Sequence, residues 1–154
     1  MESTELKALV RKASGKGPAR RLRSSGAVPA VFYGRGEASI PLSVNADELR
    51  KIVREKGENV FIKLLIEDGE ARQEKLSLIK ALQVEPLSRR FYHADFYEIR
   101  MDHKLTVDVP IHFLGIPVGV EKGGELQHLK RELRISCLPG ILPEFIEVDV
   151  SGLE

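Results

Sequence analysis

His93 and Asp95 are the residues whose types and spacing best suit chemistry in this sequence. Residues two apart in a β-strand point to one face, so the imidazole and the carboxylate should be neighbours, with Phe91 and Tyr97 beside them. The pair could be half of a catalytic triad, but no nucleophile motif of the Gly-x-Ser-x-Gly type occurs. It could bind a metal, but the remaining histidines lack ligand spacing: His103, His112 and His128.

Two further interpretations of this pair remain open. It could be a hydrogen-bonded polar pair with no role beyond the sheet. It could also recognise RNA, with Asp95 accepting hydrogen bonds from base donors and His93 stacking on a base or bonding to ribose.

A cluster of arginines near the amino terminus suits contact with phosphate. Arg20 and Arg23 are three residues apart and share a face of a short predicted helix, whereas Ala19 and Leu22 can dock inward. Arg21 belongs to the same cluster. A solvated basic face is the alternative interpretation of such a charge run.

The positive charge of the chain is concentrated at its beginning. Up to Gly36 there are eight basic and two acidic side chains, a net charge of +6, whereas the remainder has 16 basic and 21 acidic. Within this segment Gly15 and Gly17 flank Lys16 and allow the backbone to approach a phosphate closely. A basic segment of this kind attracts a polyanion, most commonly nucleic acid. The eight basic residues are Lys7, Arg11, Lys12, Lys16, Arg20, Arg21, Arg23 and Arg35.

The elements that carry these residues are predicted to be mainly strands. Alternating apolar residues predict strands around residues 6–10, 28–33, 40–44, 60–66, 76–84 and 91–99. Asp68-Gly69 predicts a hairpin, and Pro41 predicts an edge strand or a strand start. One helix is expected between Pro18 and Gly26, and a second from the cap Asn45 to Gly57.

The pattern of predicted elements changes near residue 100, where we predict a domain boundary between residues 1–99 and 100–154. The second region contains no convincing helix and is predicted to be all-β, with strands around residues 105–113, 133–137 and 146–150. Turns are expected at Gly115, Pro117, Gly119 and Gly123-Gly124. A β domain this small has a marginal core, so we expect it to be incomplete.

The composition excludes several classes of protein. No apolar run approaches the roughly 18 residues of a membrane span, and no signal peptide is recognisable. The single cysteine, Cys137, cannot form an internal disulfide, which is typical of the reducing cytoplasm. It alternates with Leu133 and Ile135 and is predicted to be a buried strand residue. A reactive thiol is less consistent with the absence of a basic neighbour in sequence.

Several dispersed motifs resemble the family of bacterial large-subunit ribosomal protein twenty-five, also called the CTC or general stress protein family. In the first region they are Gly15-Lys16-Gly17-Pro18-Ala19-Arg20-Arg21-Leu22-Arg23, Gly26-x-Val28-Pro29-Ala30-Val31-x-Tyr33-Gly34, Lys80-x-x-Gln83-x-x-Pro86 and His93-x-Asp95-Phe96. In the second they are Val109-Pro110-Ile111, Gly115-x-Pro117-x-Gly119-Val120, Gly123-Gly124 and Ile146-x-Val148-Asp149-Val150. Together the motifs cover nearly the whole chain in the order of the longer, two-domain members.

The resemblance implies a structural protein of the ribosome, monomeric when free, with no cofactor and no enzymatic activity. It implies a first domain that is a small closed six-stranded β-barrel with short helices. That domain binds 5S rRNA at the internal loop of the RNA and at the adjoining RNA helix. It approaches the RNA from the widened minor groove. Its partners are 5S rRNA and other large-subunit components. By matching position, the RNA-binding residues are Arg11, Lys16, Arg20, Arg21, Arg23, Tyr33, Lys80, Gln83, His93 and Asp95.

Two rival functions come from other classes. A β-barrel enzyme could use His93 and Asp95, although the sequence offers no nucleophile, ligand spacing or Gly-rich phosphate loop for it. A protein-interaction module could use the acidic second region to bind a basic partner.

Overall fold

The computed structural model describes residues 4–34, 36, 38–57 and 59–154. Arg35, counted above in the basic segment, lies outside the described residues. The chain divides into two compact units, the first ending at Arg100 and the second comprising Met101–Glu154. Each unit has its own sheet.

The first unit is a closed six-stranded β-barrel, as the family resemblance implied. The strand order is β1-β3-β2-β6-β5-β4, and a parallel pairing of β1 with β4 closes the barrel. The second parallel pair joins β2 and β6, while the remaining neighbours are antiparallel. The strands are β1 (Thr4–Val10), β2 (Ala27–Tyr33), β3 (Ile40–Asn45), β4 (Phe61–Asp68), β5 (Ala71–Val84) and β6 (Phe91–Glu98).

The barrel interior is filled by the alternating apolar residues of these strands. Phe32 from β2 and Phe96 from β6 are the largest fully buried side chains, and small residues such as Ala30 and Ala94 leave room for them. Because successive strand residues point to opposite sides, the residues between these positions form an outer face. That face is where the polar residues singled out by the sequence are expected to lie.

Two helices cover parts of the barrel. Helix α2 (Ala46–Lys56) begins where predicted, since the Asn45 side chain accepts hydrogen bonds from the N–H groups of Asp47 and Glu48. Gly57, at φ 79°, follows its last residue. Helix α1 (Lys16–Ser24) begins two residues before Pro18, directly after Gly15.

Pro41 lies at the beginning of β3, but β3 is not an edge strand. It pairs with β1 on one side and with β2 on the other, because closure of the barrel removes every edge. The proline carbonyl accepts a hydrogen bond from the Arg11 N–H at 2.9 Å. Of the two alternatives predicted for Pro41, the strand start is confirmed and the edge is wrong.

The second unit is a three-stranded sheet in the order β8-β7-β9. The central strand β7 (Leu105–Leu114) pairs antiparallel with β8 (Glu132–Cys137) and parallel with β9 (Ile146–Asp149). The unit is built mainly of strands, as predicted, and its connections contain a four-residue helix α3 (Val118–Glu121) and a 3-10 turn at Pro139–Ile141. Elements this short leave no periodic apolar pattern in a sequence, so that pattern could not reveal them.

Cys137 ends β8 as predicted, but its side chain is half-buried and not buried. Among the described residues β8 pairs with β7 alone, so one side of the strand lacks a covering neighbour. Alternation along an edge strand therefore overestimated burial at this position.

Candidate nucleic-acid interface

The His93–Asp95 pair predicted from spacing is present on the outer face of β6. His93 Nδ1 lies 2.8 Å from Asp95 Oδ1, so the imidazole and the carboxylate are in direct contact. About 30% of each side chain is exposed, with 28% for His93 and 30% for Asp95. The pair is therefore pre-oriented at the surface, with one edge of each group open to a ligand.

Strand register brings further polar side chains beside this pair. On β5, Gln83 is directly opposite His93, and on β2, Val31 and Tyr33 are in register with Asp95 and Tyr97. The rings of Tyr33 and Tyr97 meet edge to face, with centroids 5.6 Å apart. The structure thus assembles Tyr33, Gln83, His93 and Asp95, predicted site residues that are up to 62 positions apart in sequence.

Tyr33 remains a hydrogen-bond donor over a wide pH range. Burial raises the pKa of its phenol above the ordinary value, and the negative charge of Asp95 adds to this effect, with a further contribution from Tyr97. The outer face therefore presents the phenolic O–H of Tyr33 beside the amide of Gln83 and the side chains of His93 and Asp95. That combination of donors and an acceptor can bind both ribose hydroxyls and base edges.

A β-bulge at Lys80 explains why Gln83 reaches this face. Ile79 points into the core and pairs with Phe96, whereas the next β5 residue in register, Ala81, pairs with Asp95. Lys80 is the extra residue, and it shifts the alternation of β5 by one position. In a regular strand Gln83 would share the inward side of Ile79. Lys80 itself is exposed at the bulge.

A second bulge at Tyr92 corrects one prediction. Gln83 pairs with His93, but the next β5 residue, Val84, pairs with Phe91, so Tyr92 is the extra residue on β6. The bulge removes Phe91 from the face of His93, and Phe91 packs instead against the barrel core. The prediction that Phe91 shares a face with His93 is therefore wrong, while the prediction for Tyr97 is confirmed.

Arg23 connects α1 to this second bulge. Its Nε donates a hydrogen bond to the Tyr92 carbonyl oxygen at 3.0 Å, and its guanidinium carbon lies 3.5 Å from the centroid of the Tyr92 ring. Both interactions orient the arginine toward the protein. Arg23 therefore holds α1 against β6, a positioning role that its sequence context as one of three arginines did not reveal.

The other cations of α1 point outward. Lys16, Arg20 and Arg21 are exposed, and the predicted inward residues Ala19 and Leu22 are half-buried. Arg20 and Arg23 share a helix face, as predicted, and line one cleft together with Lys16. Gly15 precedes the helix at φ 103°, a left-handed conformation that favours glycine.

Arg11 lies across the barrel from the other site residues but in the same lateral row, that is, in the line of residues paired across adjacent strands. Its N–H bonds to Pro41, Pro41 is in register with Val31, and Val31 is in register with Asp95. Three strand spacings separate Arg11 from Asp95, or about 14 Å along the barrel surface. Within the described residues, the buried Nε of Arg11 has no hydrogen-bond partner.

The remaining histidines are not organised as a metal site. His112 stacks on Phe145 with ring centroids 4.4 Å apart, and His128 lies 4.5 Å from the ring of Phe113. In the part of the chain that the structure describes, no group of three or more potential metal ligands occurs. Nor does any helix there have the length and apolar character needed to cross a membrane.

Comparison with known proteins identifies both parts of the chain. Residues 6–96 match the Ribosomal L25p family, and residues 104–154 match the family described as ribosomal protein TL5, C-terminal domain. The "Large ribosomal subunit protein bL25" of Syntrophus aciditrophicus is 58% identical over 154 residues, covering 100% of this chain and 77% of the relative.

More distant relatives carry the same name. The protein from Syntrophobacter fumaroxidans is 46% identical over 97% of this chain and 76% of its own length. The protein from a Thermotoga species is 42% identical over 97% of this chain and 70% of its own length. The chain therefore belongs to the Ribosomal L25p family, and these relatives are structural proteins of the large ribosomal subunit, not enzymes.

Proposed function

We propose that this protein is a component of the large ribosomal subunit that binds 5S rRNA through the outer face of its barrel, at the internal-loop region. The observation that carries the proposal is the assembly of Tyr33, Gln83, His93 and Asp95 on adjacent strands. In this assignment residues 1–99 form the RNA-binding domain, and residues 100–154 form a second domain with other contacts in the subunit.

The chemistry of the outer face suits irregular RNA. A-form RNA hides its major groove, so a protein reads backbone shape, 2′-hydroxyls and those base edges that irregular pairing exposes in the minor groove. Tyr33 and Gln83 supply donors, and His93, whose Nδ1 lies against Asp95, leaves its Nε2 edge for the ligand. Asp95 accepts from base N–H groups, which gives specificity at an electrostatic cost.

Basic residues on α1, at the β5 bulge and across the barrel from the cluster supply affinity. Lys16, Arg20, Arg21 and Lys80 are exposed cations on α1 and at the β5 bulge, and Arg11 lies in the lateral row of Asp95. Contacts of this kind hold the sugar–phosphate backbone and set the register of the protein on RNA, without reading sequence. Arg23 contributes indirectly, because it holds α1 in place through Tyr92.

Binding to 5S rRNA with and without its internal loop tests the proposal. We expect the intact RNA to bind at least about tenfold more tightly than an otherwise matched RNA in which the loop is replaced by regular pairs. The affinity for both RNAs should fall steeply with salt, since each phosphate contact releases condensed counterions. Equal affinity for the two RNAs would contradict recognition of the internal loop, and a flat salt dependence would contradict the phosphate contacts.

A further inference from the structure

A second concave surface lies at the end of the barrel where β2 and β6 begin. This cleft has a volume of about 560 Å³ and is formed by one face of α1, the start of α2 and the first residues of β6. Tyr33 and Tyr97 are at the opposite ends of the two parallel strands. The cleft is therefore separate from the outer-face cluster, and its volume is in the range of small-ligand sites.

Cations dominate the lining of the cleft. Five basic side chains face two carboxylates, those of Asp47 and Glu85. Asp47 forms an exposed ion pair with Arg50 at 3.4 Å, and Glu85 accepts a hydrogen bond from the Ser88 hydroxyl. The basic residues are Lys16, Arg20, Arg23, Arg50 and Arg90.

Most of this positive charge is available to a ligand. Arg23 is engaged with Tyr92, and Arg50 with Asp47. Among the described residues, no ion pair joins Lys16, Arg20 or Arg90 to a carboxylate. Exposed cations gathered around a concave surface raise the local potential and attract an anion.

The amino end of α2 does not provide the anion site. The Ala46 N–H bonds to the Gly26 carbonyl oxygen, and the next two N–H groups bond to the side chain of Asn45. These donors are therefore already used. An anion in the cleft has to be held by side chains.

Two adjacent aromatic residues give the cleft an apolar wall. Phe91 and Tyr92 are adjacent at the β6 bulge, and both line the cleft. Tyr92 is 48% exposed despite its contact with Arg23, and the guanidinium of Arg50 lies 6.0 Å from the ring centroid of Phe91. Aromatic rings beside arginines are the usual platform for an unstacked base.

We infer that this cleft holds one nucleotide of an RNA strand, with its phosphate on Lys16, Arg20 and Arg90 and its base against the wall of Phe91 and Tyr92. The inference rests on the proposed function, to which it adds a second contact at the far end of the barrel. A polynucleotide fits better than a free nucleotide because positive charge continues beyond the cleft. Arg21 and Arg20 line a shallow groove on the neighbouring side of α1.

Arg90→Ala tests the phosphate contact, and Arg54→Ala is its matched control. Both changes remove one positive charge, but Arg54 is on α2 outside the cleft lining. We expect Arg90→Ala to weaken 5S rRNA binding about tenfold and to reduce the slope of log affinity against log salt by about 0.7–0.9. Arg54→Ala should change affinity by less than about twofold. Equal effects of the two variants would overturn the inference.

Ultraviolet crosslinking of the unmodified protein to 5S rRNA tests the base contact without altering the fold. We expect mass spectra that place an adduct on Phe91 or Tyr92. Adducts confined to Tyr33 and Tyr97 would overturn the inference. So would adenosine monophosphate binding that depends on Arg90 while RNA binding does not, since the cleft would then be a site for a free nucleotide.

Asp95→Ala separates failure of this inference from failure of the proposed function. If Asp95→Ala weakens binding to 5S rRNA while Arg90→Ala behaves like Arg54→Ala, the outer-face proposal stands and the cleft is not an RNA site. If the unmodified protein does not distinguish 5S rRNA from a scrambled RNA, the proposed function itself is wrong.

Discussion

The two units of the chain differ in how they bury apolar surface and in charge. Among the described residues the barrel buries a core cluster of sixteen apolar residues, whereas, prolines apart, the buried apolar residues of the second unit are Leu105, Val107, Val109 and Val150. Up to Arg100 there are 19 basic and 14 acidic side chains, a net charge of +5, against 5 and 9 in Met101–Glu154, a net charge of −4. Only the first unit has the charge to attract RNA.

The closed barrel and the open sheet differ in the surfaces that they offer for binding. In the barrel every strand is paired on both sides, so stability comes from the interior and the outer face can carry a half-exposed carboxylate and imidazole. In the second unit, within the described residues, β8 and β9 pair with β7 alone. Since this open sheet belongs to a unit with a net charge of −4, we expect the second unit to contact protein rather than phosphate.

The largest expected effect comes from removing a large side chain from the barrel core. Phe96 is fully buried and lies next to Asp95 in β6, so Phe96→Ala should destabilise the first unit by about 3–5 kcal/mol. Urea unfolding should show this loss, and affinity for 5S rRNA should fall with the folded fraction. Val109→Ala, in the core of the second unit, is the control and should leave RNA affinity unchanged. An equal loss of RNA affinity in both variants would mean that the two units do not divide the function.

Separating the units tests the same division directly. A fragment ending at Arg100 should bind 5S rRNA within about twofold of the whole chain, whereas residues 101–154 alone should bind at least about 100-fold more weakly, because the basic excess and the outer-face cluster are absent from them. Titration of labelled RNA measures both affinities. Circular dichroism establishes that each fragment is folded. Loss of binding by a folded first fragment would contradict the assignment.

Asp95→Ala distinguishes recognition from simple attraction within the first unit. If Asp95 accepts hydrogen bonds from base N–H groups, its removal should weaken binding to 5S rRNA by about 1–3 kcal/mol. Binding to scrambled RNA should stay the same or rise slightly, since a negative charge is gone. Arg21→Ala, a change at an exposed cation of α1, should weaken both RNAs to the same degree. Tighter binding of Asp95→Ala to 5S rRNA would leave Asp95 without a role in recognition.

Arg23 should behave differently from Arg21 although both are arginines of α1. Arg23→Ala removes the hydrogen bond to the Tyr92 carbonyl oxygen and the stacking on its ring, so α1 should be destabilised by about 1–2 kcal/mol. Hydrogen exchange of the α1 amides measures this change in the absence of RNA. Arg23→Lys retains the charge but should not restore full protection, since lysine lacks the planar fork. Unchanged exchange in Arg23→Ala would show that the contact does not hold the helix.

The smallest expected effect is a shift in the titration of Tyr33. Burial and the Asp95 carboxylate raise the pKa of the folded phenol, so any associated stability is present below about pH 10, the ordinary tyrosine value, and is lost as pH rises through the folded pKa. The difference in absorbance at 295 nm between the unmodified protein and Tyr33→Phe isolates this titration. Asp95→Asn should lower the pKa only in part, because burial is the larger cause. A titration unaffected by Asp95→Asn would place the two groups too far apart to interact.

Local signals in the sequence predicted the elements well. The Asn45 cap and Gly57 define α2, and Asp68-Gly69 marks the β4–β5 hairpin, because each depends on a few adjacent residues. The spacing of His93 and Asp95 likewise predicted their contact, since the alternation of a strand is a local property.

Features that depend on a partner strand were not predictable in this way. The bulges at Lys80 and Tyr92 exist only in the pairing of β5 with β6, so the sequence of either strand alone carries no sign of them. They decide that Gln83 faces the site and that Phe91 does not. The contact of Arg23 with Tyr92 joins residues 69 positions apart. Nothing in the local sequence distinguishes Arg23 from the other arginines of α1.

The position of β6 in the barrel has a consequence for the order of events during synthesis. This strand is the last of the six to leave the ribosome that makes the chain, yet it inserts between β2 and β5 and carries His93 and Asp95. Pairing of β2 with β6 joins residues 64 positions apart, such as Val31 and Asp95, and non-local contacts of this kind slow folding. A nascent chain shorter than about 98 residues therefore lacks the complete barrel, and we expect affinity for RNA to be acquired only when β6 has been inserted.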